Sequence, residues 1–357
     1  MKSTIICFLA VCLLLSGCSM LDGSYHSAKP HEEQTSQTPA GNITAYDYAG
    51  LYNALRNLAE NGTVSGIIRI PRYDQSVINS DLNRAIGELK RNSPIAAYAV
   101  ESIHCEVGTS GGQNAVSVNI TYVHDQNQIR TIRRVAGMQA AREAIAEEMD
   151  NCASSVVLYI EQFESADFAQ LAEDHWEASP QTVMEIPEVA VSVYPEKGTQ
   201  RVVELKFAYQ TNRETLRSMQ KEVAPVFESA ALLVSGEESQ MEKVSQLYAF
   251  MTALMDHYDY RLGTSLTPSY SLLRHGVGDS KALAVVYAAM CRQAGVEAAV
   301  IRGTRQGEPW SWNLIGIDGE FYHIDLLHCS SQGDFCMHRD DQMDGYIWEY
   351  SAYPVTE

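Results

Sequence analysis

Gly276-Val277-Gly278-Asp279-Ser280-Lys281-Ala282-Leu283-Ala284 is the stretch on which the reading of this chain turns. Two glycines bracket a valine, then an acidic and a hydroxyl residue precede an apolar run, the pattern of a tight turn that opens a helix. That helix is expected from Ser280 to Gly295, where glycine supplies the C-cap. Upstream, Glu237 to Tyr260 carries Met241, Val244, Leu247, Phe250, Leu254 and His257 at helical spacing, which predicts an amphipathic helix. Downstream lie three strand candidates, Ala298 to Gly303, Trp310 to Ile317 and Glu320 to Leu326. The last two are joined by an Asp-Gly hairpin turn at Asp318-Gly319.

This order of elements resembles the transglutaminase-like core, a relative of the papain-type cysteine peptidases. There a Gly-rich turn delivers a Cys at a helix N-terminus, a His-x-Trp-Asn strand supplies the base, and an Asp in an aromatic strand orients it. Here Gly276 to Ala284 matches the turn and helix start, and Ala294 to Gly303 the segment into the next strand. Trp310-Ser311-Trp312-Asn313 matches the base strand and Phe321-Tyr322-His323-Ile324-Asp325 the acid strand. The resemblance covers about Glu237 to Tyr350 and implies a papain-type α+β domain. Carried over residue by residue, it puts the nucleophile position at Ser280, the base position at Trp310 and the orienting acid at Asp325.

Two of those three positions lack the family's chemistry. A thiolate at a helix N-terminus is the usual nucleophile, and a serine hydroxyl needs a general base far more than a thiol does. Trp has an N–H donor and no proton-accepting nitrogen. The expectation is a triad-like cluster of Ser280, Trp310 and Asp325 that meets without reacting. Ser280 is expected to cap its helix, Trp310 to fill the space of the missing imidazole, and Asp325 to keep only a hydrogen-bonding role. The alternative is a hydrolase through Ser280 with a displaced base. His323 lies two residues before Asp325, and period-2 geometry points both to one face of a strand. His323, His328, Cys329, Cys336 and His338 crowd one short segment, but their spacing matches no compact Cys/His ligand pattern, so no metal or cofactor is assigned. Cys329 and Cys336 are close enough in sequence to bridge, although spacing alone leaves their geometry open. Cys291 lies too far along the helix to replace the nucleophile and reads as a buried structural thiol.

The N-terminus carries a different signal. Lys2 gives a positive start, Ile5 to Leu15 is an unbroken apolar run of 11 residues, and Leu15-Ser16-Gly17-Cys18 ends it. The run is short for a membrane span but suits a signal h-region, and the ending resembles a bacterial lipobox in which Cys18 is diacylated. The expected organisation is a signal peptide at 1–18, a polar tether at 19–43, an α+β module at 44–150, a second at 151–235, and the transglutaminase-like domain at 236–357.

The two middle modules read as one pattern used twice. Pro94 and Pro180 lie 86 residues apart and Tyr122 and Tyr209 lie 87 apart, each pair flanking an alternating hairpin. A helix is expected over Ile129 to Met149, with Arg130, Arg133 and Arg134 on a solvated face, and another over Arg213 to Leu232, kinked or broken at Pro225. Neither module gathers catalytic residue types.

Composition is that of a globular chain: 357 residues, 45% hydrophobic and 20% charged, with a net charge of -19. That field repels phosphate backbones and argues against nucleic acid as a partner. The combined expectation is a membrane-held protein on the extracytoplasmic face, anchored through Cys18, with a protein or cell-wall peptide as its partner. The anchor has a direct check: Cys18→Ala is expected to shift the protein out of detergent-extractable membrane fractions or leave an unprocessed precursor. A correctly processed Cys18→Ala form that stays on the membrane would rule the anchor out.

Overall fold

The computed structural model describes residues 40–236, 239–255, 265–332 and 335–356. The segment around Cys18 lies outside them, as do Tyr260 and His257. No helix among the described residues is long and apolar enough to cross a membrane.

The chain opens with β1 (Ala40–Thr44), α1 (Tyr48–Glu60), β2 (Ser65–Arg69), α2 (Ile78–Asn92), α3 (Pro94–Ala99), β3 (Val100–Ser110) and β4 (Gln113–Tyr122). The four strands form one sheet in the order β1-β2-β4-β3. β1 runs parallel to β2, and the other neighbours are antiparallel. After a short helix, α4 (Gln126–Arg130), come β5 (Arg133–Gly137), α5 (Met138–Asp150), β6 (Ser155–Gln162), α6 (Phe168–Ala178), β7 (Glu188–Tyr194) and β8 (Arg201–Ala208). Their order is β5-β6-β8-β7, with β5 parallel to β6 and the rest antiparallel. The two sheets therefore share order and strand direction.

Local devices match as well. Asn61 and Asn151 end α1 and α5, each turning its side-chain amide back to the carbonyl four residues earlier, at 2.8 and 2.9 Å. The next residues, Gly62 and Cys152, both take positive φ, at 67° and 48°. Glycine does so freely, and cysteine only at a small steric cost. Pro94 and Pro180 both follow a serine that ends a helix, but Pro94 opens α3 whereas Pro180 sits in a turn. Tyr122 closes β4 and Tyr209 directly follows β8. The units meet where Ile95, Tyr98 and Ala99 pack on Tyr159 and Val202.

Several expectations change here. The helix expected over Ile129 to Met149 is interrupted by β5, whose residues pair with Leu158 to Gln162 of the second sheet. Arg133 and Arg134 thus lie on an edge strand, Arg133 reaching Glu147 and Arg134 stacking over the Tyr159 ring at 4.4 Å. Charged side chains on an edge strand discourage pairing with another chain. β5 and α5, although they precede residue 151, belong with the second sheet. β1 begins inside the stretch read as tether.

α7 (Arg213–Leu233) is not broken at Pro225. Lys221 and Pro225 are both exposed, so the carbonyl that loses its helical donor faces solvent. α8 (Gln240–Leu254) is shorter than expected and starts at a capping box, in which Ser239 receives the N–H of Glu242 and Glu242 receives that of Ser239. α9 (Pro268–His275) and α10 (Ser280–Gln293) follow. They lie against the sheet of β9 (Glu297–Arg305), β10 (Glu308–Ile317), β11 (Glu320–Ile324) and β12 (Tyr346–Trp348), in the order β11-β10-β9-β12, with α11 (Leu326–Gln332) between β11 and β12. Leu216, Val223 and Phe227 of α7 share a core with Val244, Leu272, Tyr287 and Ile315. The architecture is α+β throughout.

The second unit docks on this domain through α6. Trp176, 1% exposed, donates its indole N–H to Ser269 Oγ at 3.2 Å. Glu173 pairs with Lys281, Glu177 with Arg302, and Arg292 donates to the Glu177 carbonyl at 2.6 Å.

The two tyrosines make a matched test of buried hydrogen bonding. The Tyr122 hydroxyl faces the carbonyls of Leu58, Ala59 and Thr63 at 3.1, 3.3 and 3.1 Å. The Tyr209 hydroxyl is buried without a partner among the described residues. Tyr122→Phe is expected to lower unfolding stability by about 1 kcal/mol, and Tyr209→Phe to leave it unchanged or raise it. Paired denaturant melts read both, and equal losses would refute the assignment.

Candidate active site

The turn before α10 is built by backbone constraint. Gly276 takes φ 66° and closes α9, donating its N–H to Leu272 O at 2.9 Å, while Val277 donates to Ser271 O at 3.2 Å. A Cβ on Gly278 would stand 3.1 Å from Leu272 Cδ1. The chain thus reverses tightly and places Ser280 in the first turn of the helix.

Ser280 does not cap that helix. Asp279 does, its carboxylate accepting the Ala282 N–H at 2.8 Å. Ser280 is the first helical residue, and its Oγ accepts the backbone N–H of Ser311 at 3.2 Å. β10 brings this contact because Asn313, fully buried, donates its amide to Ala284 O at 2.7 Å and pins the strand against α10. The Asn313 Oδ1 has no partner among the described residues.

Asp325 sits where β11 ends and α11 begins, 2% exposed. Its Oδ1 accepts the N–H groups of Leu327 and His328, both at 3.1 Å, as a cap for α11. Its Oδ2 accepts the indole N–H of Trp310 at 2.7 Å and the hydroxyl of Tyr346, also at 2.7 Å. Four donors satisfy a carboxylate that would otherwise be costly to bury. Together with burial, Asp325 pushes the Tyr346 phenol well above its ordinary pKa. The Arg305 guanidinium stands over the rings of Trp310 and Tyr346, 5.4 and 5.5 Å from their centroids.

Ser280, Trp310 and Asp325 are therefore neighbours. Ser280 and Asp325, with Leu283, Ser311, Asn313 and Leu326, line a crevice too tight to hold a water molecule. Larger cavities lie elsewhere. One of about 480 Å³ is bounded by Arg142, Leu171 and His175, and another of about 260 Å³ by Trp176, Glu185, Leu266 and Lys281.

His323 is committed to a different neighbourhood. It is 1% exposed, its Nδ1 receives the Trp312 indole N–H at 2.9 Å, and its Nε2 lies 2.7 Å from Asp340 Oδ1. Because indole only donates, Nδ1 must be unprotonated, so in the neutral ring Nε2 carries the hydrogen and donates to Asp340. Neither nitrogen is left for Ser280. The shared face expected from period 2 does not materialise, because β11 ends at Ile324 and Asp325 already turns into α11. Burial holds the His323 pKa below its usual value, with Asp340 opposing.

Cys329 and Cys336 are bonded to one another, their Cα atoms 5.6 Å apart. Cys291 is fully buried, its thiol pushed up to about 12 by burial, which suits a structural role. Trp312 and Trp348 belong to the core, whereas Tyr350 is 56% exposed. Two site residues escaped sequence reasoning. Tyr346 lies beyond the quoted motifs in a segment with no periodic pattern, and nothing in the sequence pairs it with Asp325. Asp279 was legible, since Asp ranks with Ser as a helix cap.

Residues 229–340 match the family model described as transglutaminase-like superfamily, and the C-terminal part of the chain is a transglutaminase-like domain. The match leaves both preceding sheets outside it. Among solved structures, the chain is similar to a protein from Cytophaga hutchinsonii provisionally named a cysteine protease, at 11% identity and TM-score 0.27 over 42% of this chain and 65% of that one. It is also similar to a TGase, at 13% identity and TM-score 0.25 over 48% of this chain and 50% of the other. A provisionally named protease from Parabacteroides distasonis ATCC 8503 follows, at 9% identity and TM-score 0.23 over 72% and 39%. The chain thus spans between 39% and 65% of these structures' own lengths. No curated protein sequence matches it.

The state of His323 predicts a pH dependence. Its folded pKa is lowered from 6.5, so the unfolded chain binds the proton first as pH falls. The stability due to the neutral ring is present above about pH 6.5 and is lost as pH drops from there through the folded value. Protonating Nδ1 would also remove the acceptor of Trp312. Denaturant midpoints measured from pH 7.5 down to 5 are expected to fall, and His323→Asn to flatten that slope. An identical slope in the variant would place the titration elsewhere, with His328, whose pKa is also lowered by burial, the next candidate.

Proposed function

We propose that this protein is a membrane-anchored extracytoplasmic lipoprotein whose transglutaminase-like domain is catalytically silent and serves as a protein- or wall-peptide-binding module. One observation carries the silent reading: the Trp310 indole N–H occupies Asp325 Oδ2, the carboxylate that in the family orients a histidine. Around Ser280 the described polar contact is a backbone N–H, which stabilises an oxygen but takes no proton from it. An unactivated serine is a poor nucleophile, and loss of triad members costs several orders of magnitude in rate. The anchor rests on the sequence around Cys18, and the binding role on retention of the family's fold without its reactive groups. The two like-ordered sheets are proposed to be copies of one module.

Purified protein is expected to show no transamidation, no peptidase turnover and no fluorophosphonate labelling of Ser280. Turnover abolished by Ser280→Ala would overturn the silent reading. The converse experiment restores both positions, Ser280→Cys with Trp310→His. If the backbone geometry is retained, the new thiol should react with iodoacetamide at neutral pH at least about tenfold faster than in Ser280→Cys alone, because a neighbouring histidine lowers a thiol's pKa. Equal rates in the two variants would show that the geometry no longer supports the chemistry.

A further inference from the structure

We propose that the Cys329–Cys336 pair and His338 form a zinc site whenever the disulfide is reduced, so that the bridge and the metal are alternative occupants of one place. The sulfurs of Cys329 and Cys336 and a ring nitrogen of His338 all lie within 4.8 Å of one another. Tetrahedral zinc, with Zn–S near 2.3 Å and Zn–N near 2.0 Å, needs its ligand atoms about 3.5–3.8 Å apart. Opening the bridge lets the sulfurs separate toward that spacing, and the histidine has only a short distance to close.

Two of the three ligands stand on fixed supports. Cys329 lies in α11, its N–H bonded to the Asp325 carbonyl at 2.9 Å. His338 forms an antiparallel bridge with His323 through two backbone hydrogen bonds of 2.8 and 2.9 Å. His323 cannot compete for the metal, because Trp312 and Asp340 hold both its ring nitrogens. Cys329 is buried, whereas Cys336 and His338 are half-buried, so the cluster lies at the edge of the domain rather than sealed inside it. Two thiolates and one imidazole are a donor set of the kind zinc prefers. In sequence the spacing matched no recognised pattern, because the ligands converge through a helix end, a loop and a bridge rather than through one compact motif.

The conversion balances. A dithiol or phosphine reductant supplies two electrons, the S–S bond breaks, and two thiols form with two protons from solvent. Zinc then binds, two thiol protons leave, and two thiolates and the imidazole coordinate it.

The test uses the full chain, reduced with a phosphine, freed of it without oxygen, and titrated with Co²⁺ as the spectroscopic probe. Expected are one Co²⁺ per chain, a thiolate-to-cobalt charge-transfer band with the visible absorption of a tetrahedral site, and displacement by Zn²⁺. The disulfide form should bind no cobalt. Cys336→Ser should lose most of the charge-transfer band, and His338→Ala should weaken binding by about tenfold or more. His338→Ala keeps the disulfide, so its oxidised form verifies that the fold is intact. The proposal is overturned if reduced protein takes up no cobalt, if oxidised protein binds as well, or if both variants bind like the parent, which would assign the signal to Cys105, Cys152 or Cys291. It is equally overturned if reduction alone unfolds the chain before metal is added.

Discussion

A carboxylate removed from water has to find its hydrogen bonds inside the protein, and Asp325 is the group around which the C-terminal domain is arranged. Its two oxygens draw four donors from three separate pieces of chain: the first turn of α11, the start of β12 through Tyr346, and the start of β10 through Trp310. Leaving a buried charge unpaired would cost several kcal/mol. The carboxylate therefore fixes where α11 starts, where β12 closes the sheet and how the Trp310 ring lies. Closure of β12 has a steric counterpart at Gly303, where a Cβ would come within 2.2 Å of the Ile347 carbonyl and 2.9 Å of the Trp312 ring. The missing side chain at Gly303 and the satisfied charge at Asp325 are two conditions on the same corner.

Legibility in the sequence followed the range of the interaction involved. The hairpins of both sheets, α10 and the Asp-Gly turn are set by local alternation, helical spacing and turn chemistry, and each appears close to where it was expected. The spacing from Ser280 to Trp310 to Asp325 was equally readable, since a family pattern is a one-dimensional record of a three-dimensional meeting. β5 was missed because Arg133-Arg134-Val135 has the composition of an exposed helix, and only its parallel partner β6 makes it a strand. Ser280 was misassigned as the cap because two adjacent residues compete for that role. Asp279 takes it, while Ser280 turns to the Ser311 amide, a partner 31 residues away. Tyr346 and the convergence of Cys329, Cys336 and His338 were unreadable for the same reason: contacts between separate segments of the chain bring them together without periodicity.

The middle of the chain meets the C-terminal domain through α6. α6 presents Glu173 and Glu177 to Lys281, Arg292 and Arg302, and buries Trp176 against Ser269. Ion pairs exposed in this way add little individually, so the apolar Trp176 is the firmer part of the junction. Lys281 follows Ser280 directly, which ties the start of α10 to the preceding sheet.

Two donors on one oxygen have a consequence for substitution. With Tyr346 already holding Asp325 Oδ2, a change at position 310 removes one hydrogen bond in four and leaves no bare charge. Position 310 is therefore open to exchange without unfolding the domain. Under the silent reading proposed above, a histidine placed at 310 alone would find no thiol to activate, and a cysteine at 280 alone would find no base. Reactivity then needs both changes at once, and neither single change reveals the other.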